Sequence, residues 1–200
     1  LNLNEWYHVV GVYDADDNSG AVYINGELDK KSILPKQPNF TNEKVILGRW
    51  ANSYGSYLFH GKIDDVRLYA SVLTEQEIQE IYQQRASLDN KGSFSSVGEI
   101  IEGTDVLSFD GKDDYVKMKD SLQHLSKLGE GSISIWFKLN SLPSGKSIYP
   151  IFYYGSASSC DFFDAANKGL IIELGHSPVH MGSENVYFTI WKNGCTYPSF

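Results

Sequence analysis

The chain is poor in sulfur, with two cysteines and two methionines in 200 residues. That rules out a disulfide-stapled mini-domain and any zinc module built on several cysteines. Basic residues are also in deficit: 17 Lys and Arg face 25 Asp and Glu, for a formal net charge of −8. No basic run is longer than Lys30-Lys31, so a nucleic acid or an anionic membrane has no electrostatic footprint to meet. An acidic surface suits neutral sugars or cations better. No apolar stretch approaches the roughly 20 residues needed to span a bilayer. There is no Gly-x-Ser-x-Gly elbow and no phosphate-binding glycine loop. The chain begins at Leu1 without an initiator Met or a basic-then-apolar leader, and is expected to be a piece of a longer protein.

What is present is apolar and aromatic material, 42% and 14% of residues, enough for a sizeable core. It is distributed with a period of two, the signature of half-buried strands. EWYHVVGVYD places Trp6, His8, Val10 and Val12 on one face, and GAVYIN returns after the turn DADDNSG. Asn25-Gly26 predicts a type I′ hairpin turn into GELDKKS, because that turn needs positive φ at both central residues. KVILGR, HGKIDDVRLYA, DVLSF, DYVKMK, SISIWFKL, IYPIFYY, GLIIEL and VYFTIW complete about a dozen strands. One helix is predicted, LTEQEIQEIYQQ. Thr74 and Glu77 have capping-box spacing there, and Leu73 and Ile78 are placed as a hydrophobic staple. A helical turn is also read around SLQHLSKL. From about Ala86 the chain turns polar and Gly/Ser-containing, as a linker does. The pattern predicts an all-β, two-sheet antiparallel sandwich with one short helix.

WYHVVGVYD, GAVYINGELD, VILGRW and FHGKIDDVRLYASVLTEQEI, in that order, resemble the C-terminal half of a laminin G-like jelly roll. That family belongs to the concanavalin A-like lectin/glucanase superfamily. LSFDGKDDYVKM followed by SISIWFKL is similar to its N-terminal half. The two resemblances cover about 170 of the 200 residues, and the halves stand in swapped order. Either the chain is cut across two tandem modules, or it is one circularly permuted module. Half a jelly roll alone would leave an apolar sheet face and open edges bare. A closed permuted sandwich is therefore expected: 1–86 as the C-terminal half, 87–104 as a linker, 105–200 as the N-terminal half. A linker of that length reaches about 60 Å when extended.

Candidate chemistry is concentrated in a few places. In GKIDDVRLYA, apolar residues on both parities mean a bulge or a strand covered on both sides. The resemblance implies that the Asp110 turn lies beside this strand. Asp110 with Asp64 or Asp65 would then offer hard oxygen ligands to one structural Ca²⁺; the other reading is a plain Asp110-Gly111 turn with Asp65 capping backbone amides. GRWANSYGSYLF sets Arg49, Trp50, Asn52, Tyr54 and Tyr57 in a loop, where aromatic faces stack on sugar C–H faces and polar groups bond hydroxyls. A second such loop carries Tyr154, Phe162 and Phe163. In both, rings that plug the ends of the sandwich are the alternative.

Trp6 and Trp136 lie inside strand patterns and read as core, and His8 as a hydrogen-bonded, partly buried imidazole. His176 and His180 have zinc-pair spacing, but Pro178 between them argues against a helix. Cys160 and Cys195 would emerge at the same end of the GLIIEL/VYFTIW hairpin, where a bridge is geometrically reasonable. Asn39-Phe40-Thr41 is a sequon compatible with secretion.

Glycosidases of the superfamily use an ExDxxE-like motif, which sets two carboxyls about 5 Å apart. No strict Glu-x-Asp-x-x-Glu triplet occurs here. The expected function is a non-catalytic, lectin-like module of a larger secreted or cell-surface protein that binds a glycan or polysaccharide. An adhesion module that meets another polypeptide and a structural spacer are the alternatives.

Overall fold

A computed structural model describes residues 1–33, 44–49, 58–89, 106–118, 130–142, 148–156, 168–175 and 186–191. The first meander comprises β1 (Trp6–Asp14), β2 (Ser19–Ile24) and β3 (Glu27–Ile33). Asn25 and Gly26, between β2 and β3, have φ of 52° and 83°, the positive pair that a type I′ hairpin requires. β4 (Lys44–Leu47), β5 (His60–Tyr69) and the helix α1 (Glu75–Asp89) follow. Then come β6 (Leu107–Asp110), β7 (Val116–Met118), β8 (Gly131–Leu139), β9 (Ile148–Ser156), β10 (Lys168–Gly175) and β11 (Val186–Trp191).

The strands form two antiparallel sheets, ordered β3-β2-β1-β8-β5-β6 and β11-β10-β9-β4-β7. This is an all-β jelly-roll sandwich with one helix among the described residues. Each sheet takes strands from both sides of the stretch between Asp89 and Val106. β8 lies between β1 and β5, and β4 lies between β9 and β7.

Alternation decides which residues meet. Val9 and Tyr13 of β1, with Ile133, Ile135 and Phe137 of β8, belong to one core with Val45, Leu47, Phe152, Ile172 and Leu174 of the other sheet. The opposite face of β1 carries His8, Val10 and Val12, all buried. There Leu73 and Ile78 pack with Val10, Val12, Ala21 and Tyr23 in a second, separate cluster.

The helix start follows its sequence signals. The backbone N–H of Thr74 donates to the Glu77 carboxylate at 2.8 Å, and the N–H of Glu77 donates to Thr74 Oγ1 at 3.3 Å. Leu73 and Ile78, the staple pair, are both buried. The helix end departs from expectation. It runs to Asp89, past the boundary near residue 86 that polar composition suggested, because Arg85 is drawn against the sheet and tertiary contact overrides weak local preference. The expected helical turn over 121–128 and the rest of the linker lie outside the described residues. Among the described residues, no helix is long and apolar enough to cross a membrane.

Phe137 is fully buried in the intersheet core. Phe137→Ala should lower the unfolding free energy by about 3–5 kcal/mol, the range for deleting a buried ring. Urea denaturation checks this; a loss under about 1 kcal/mol would contradict the packing described.

Candidate functional site

Two chain reversals meet at one end of β4, β5, β6 and β7. β4 pairs with β7 through Leu47↔Val116, and β5 pairs with β6 through His60↔Asp110. The connection from β4 to β5 is closed at its base. Arg49 and Leu58 form an antiparallel bridge, and the N–H of Phe59 donates to the Gly48 carbonyl at 2.9 Å. Gly48 has φ of 80°, and a Cβ there would lie 2.5 Å from the Phe109 ring. β6 therefore packs directly on the base of the loop, and only glycine fits.

Arg49 then reaches sideways. Its guanidinium carbon lies 4.3 Å from the centroid of the Tyr115 ring, within cation–π range. Tyr115 is 44% exposed. The sequence reading missed this ring, which follows an acidic turn and gives no alternation signal of its own.

That turn carries three carboxylates. The N–H of Lys112 donates to Asp110 Oδ1 at 2.8 Å, and the N–H of Asp110 donates to Asp114 Oδ2 at 2.9 Å. The first of these bonds, with the Lys112 charge, holds the Asp110 carboxyl below its ordinary pKa. One ligand oxygen each from Asp110, Asp113 and Asp114 lies within 4.8 Å of the others. A second group with the same property is Asp14, Asp16 and Glu130. Both sets are hard oxygen donors, the chemistry that Ca²⁺ or Mg²⁺ prefers.

Asp64 and Asp65, expected beside Asp110, are elsewhere. Asp110 faces His60, and Asp64 is four residues further along β5, about 13 Å at the rise of an antiparallel strand. The Asp110, Asp64 and Asp65 set is thus not one cluster. Instead, Arg85 Nη2 donates to Asp64 Oδ2 at 2.6 Å, and Arg67 Nε donates to Asp65 Oδ1 at 2.7 Å. Arg85 Nη1 is 3.8 Å from Asp65 Oδ2. Both alternatives read from GKIDDVRLYA occur together. The β5/β8 register shifts between Asp64 and Arg67, with Asp65 at φ 47°, and α1 covers this face.

The same interface holds His8, fully buried rather than partly. Its ring packs against both Trp136 and Tyr82, with centroids 5.0 Å and 6.1 Å away, and those two rings also stack on each other at 5.8 Å. Nε2 is 2.8 Å from Ser134 Oγ. Arg85 lies over the Trp136 ring at 5.2 Å and over Trp6 at 5.8 Å. Burial is the main cause that lowers the His8 pKa from 6.5 to about 4. Trp136 is buried as expected, while Trp6 is half-buried at the rim. Arg85 was not anticipated; its one available signal is the Ile78, Tyr82, Arg85 spacing of a single helix face.

Of the other anticipated residues, Tyr154 is buried in the intersheet core and is not a surface contact, because β9 turns it inward. Trp50, Asn52, Tyr54, Tyr57, Cys160, Phe162, Phe163, His176, His180 and Cys195 lie outside the described residues.

Residues 1–79 match a laminin G-type family model described as the concanavalin A-like lectin/glucanases superfamily. This segment is laminin G-like. It spans β1 to β5 and the first turn of α1, so Arg49 and the Asp64-Asp65 bulge fall inside it and the Asp110 turn falls outside. No curated protein and no solved structure matches the chain. The superfamily description names both sugar-binding and sugar-cleaving proteins, and the laminin G-like segment points to a carbohydrate-binding or interaction module.

Arg85 is 8% exposed and paired with Asp64, whereas Lys31 and Asp17 pair at the surface. Arg85→Ala should therefore cost about 3 kcal/mol by stranding Asp64 near the helix, and Lys31→Ala under about 1 kcal/mol. Equal losses in urea titrations of the two variants would contradict this assignment.

Proposed function

We propose that the protein is a non-catalytic carbohydrate-binding module of a larger secreted or cell-surface protein. Its glycan contact is assigned to the loop that starts at Arg49, through Trp50, Asn52, Tyr54 and Tyr57, with Tyr115 added beside it. The observation that carries this reading is the Arg49–Tyr115 pair at the closed base of the loop. An exposed ring and a planar cation are held there on paired strands. Rigid placement matters because a sugar offers only C–H faces and hydroxyls, and a platform already in position loses little entropy on binding.

The same reading takes the Asp110, Asp113 and Asp114 turn as the seat of one structural Ca²⁺. Support comes from three hard donors close together and from the position of the turn beside the loop base. Asp64 and Asp65 leave that set because their carboxylates are already satisfied by arginines. Glu27 and Asp29 of β3 have the two-apart spacing but lack the second glutamate of an ExDxxE motif, which is why binding is preferred over cleavage.

We further propose that 1–86 and 105–200 form one permuted module joined by 87–104, since strands of both stretches alternate within each sheet. A cut across two tandem modules is the competing account. It predicts that the isolated chain dimerises or unfolds in two steps, whereas one module predicts a monomer with one cooperative transition. A protein-binding role is favoured by one observation, the exposure of Leu28 (46%) and Ile33 (79%) on the edge strand β3.

A glycan array run with and without Ca²⁺ tests the proposal. Tyr115→Ala and Trp50→Ala should each weaken the best glycan about tenfold, or roughly 1.4 kcal/mol, and leave the Tm within about 2 °C. Parallel loss of binding and Tm would assign the rings to structure. Asp113→Asn should reduce the heat of Ca²⁺ binding in calorimetry, and absence of any heat from the unmodified protein removes the metal.

A further inference from the structure

The polar interface between α1 and the six-stranded sheet is not used by the proposed glycan site. It has an unusual composition for a buried contact. His8 is completely enclosed and packs against an aromatic ring of the helix, Tyr82, and one of the sheet, Trp136, which also stack on each other. Its Nε2 has Ser134 Oγ as partner. Its Nδ1 is buried with no hydrogen-bond partner among the described residues. In the neutral tautomer that fits, Nε2 carries the proton toward Ser134, and Nδ1 presents only a lone pair. A second proton would have to sit on Nδ1, where no described group accepts it.

The charges around the ring act both ways: Asp65 favours an imidazolium, whereas Arg67 and Arg85 oppose it. β5 supplies Asp64, Asp65 and Arg67, α1 supplies Arg85 and the neutral Tyr82, and β8 supplies Lys138 at the Trp6 rim. The two carboxylates are already engaged by the two arginines. An imidazolium would add another cation to an interface whose anions are taken.

What the helix rests on is separable from the rest of the fold. Leu73 and Ile78 pack into the cluster with Val10, Val12, Ala21 and Tyr23, while the intersheet core is a distinct cluster. Elements held by a small satellite cluster open at lower free energy than the global transition. Gln79 Nε2, which donates to the Gly26 carbonyl at 3.3 Å, is the further tie to the β2–β3 turn.

We propose that α1 is a proton-operated latch: protonation of His8 loosens the Tyr82 and Arg85 half of the helix from the sheet while the sandwich stays folded. Burial keeps the docked ring neutral, with its pKa near 4 against 6.5 when free. Between those two values the open form binds more protons at His8 than the docked form, so falling pH favours opening. Opening uncovers Trp136, Tyr82 and the Trp6 rim, an aromatic surface absent at neutral pH.

Hydrogen exchange with mass readout, corrected for intrinsic rates, tests this on the whole chain. From pH 7 to pH 4, protection of the helix amides around Tyr82 and Arg85 should fall on the order of 10²-fold, while β8 amides stay protected. In His8→Gln the helix protection should vary less than about threefold over the same range. Should that variant fail to fold, the His8 ring protons of the unmodified protein, followed by NMR, must titrate with the helix opening. Helix protection that stays constant to pH 4, or a decline that His8→Gln retains, overturns the latch. So does loss of β8 protection in step with the helix, or a His8 titration apart from the opening.

Discussion

Strand β8 is hydrogen-bonded to β1 along Trp6↔Lys138 to Tyr13↔Gly131, and to β5 along Gly61↔Leu139 to Tyr69↔Ser132. This double ladder is the constraint on which the remainder depends. Backbone groups buried at the centre of a sheet must be paired, and β8, delivered late, joins two strands that the chain delivers early. Its residues from Ser132 to Phe137 are buried on both faces. One face closes the sandwich; the other receives the helix.

From that placement the two chemically interesting regions follow by different routes. β5, once registered on β8, carries β6 on its far edge and so sets the Asp110 turn opposite His60. β4 and β7 bring Arg49 and Tyr115 to the same end. The bulge in β5 does the opposite: it turns Asp64 and Asp65 toward the helix, where Arg67 and Arg85 meet them. A one-residue irregularity thus separates carboxylates available to a cation from carboxylates committed to packing.

The helix–sheet interface is more polar than an ordinary satellite core. Two aromatic rings, an imidazole and a guanidinium cluster there in mutual contact, which satisfies shape but leaves little tolerance for additional charge. The intersheet core is almost wholly aliphatic and aromatic. The fold therefore combines an apolar body with a polar attachment.

Much of the architecture was legible in the residues. Period-two alternation marked the strands, Asn25-Gly26 marked the hairpin, and Thr74 with Glu77 marked the helix start, because each is a local rule satisfied within a few residues. The doubled parity of GKIDDVRLYA announced a bulge or double coverage and both are present. What local rules could not reach is partnership. The separation of Asp110 from Asp64, the stacking of Arg49 on Tyr115, the inward turn of Tyr154 and the extension of α1 through Arg85 all depend on strand register between residues far apart in the chain. Alternation says which residues share a face; only the ladder and the packing across it decide what that face meets.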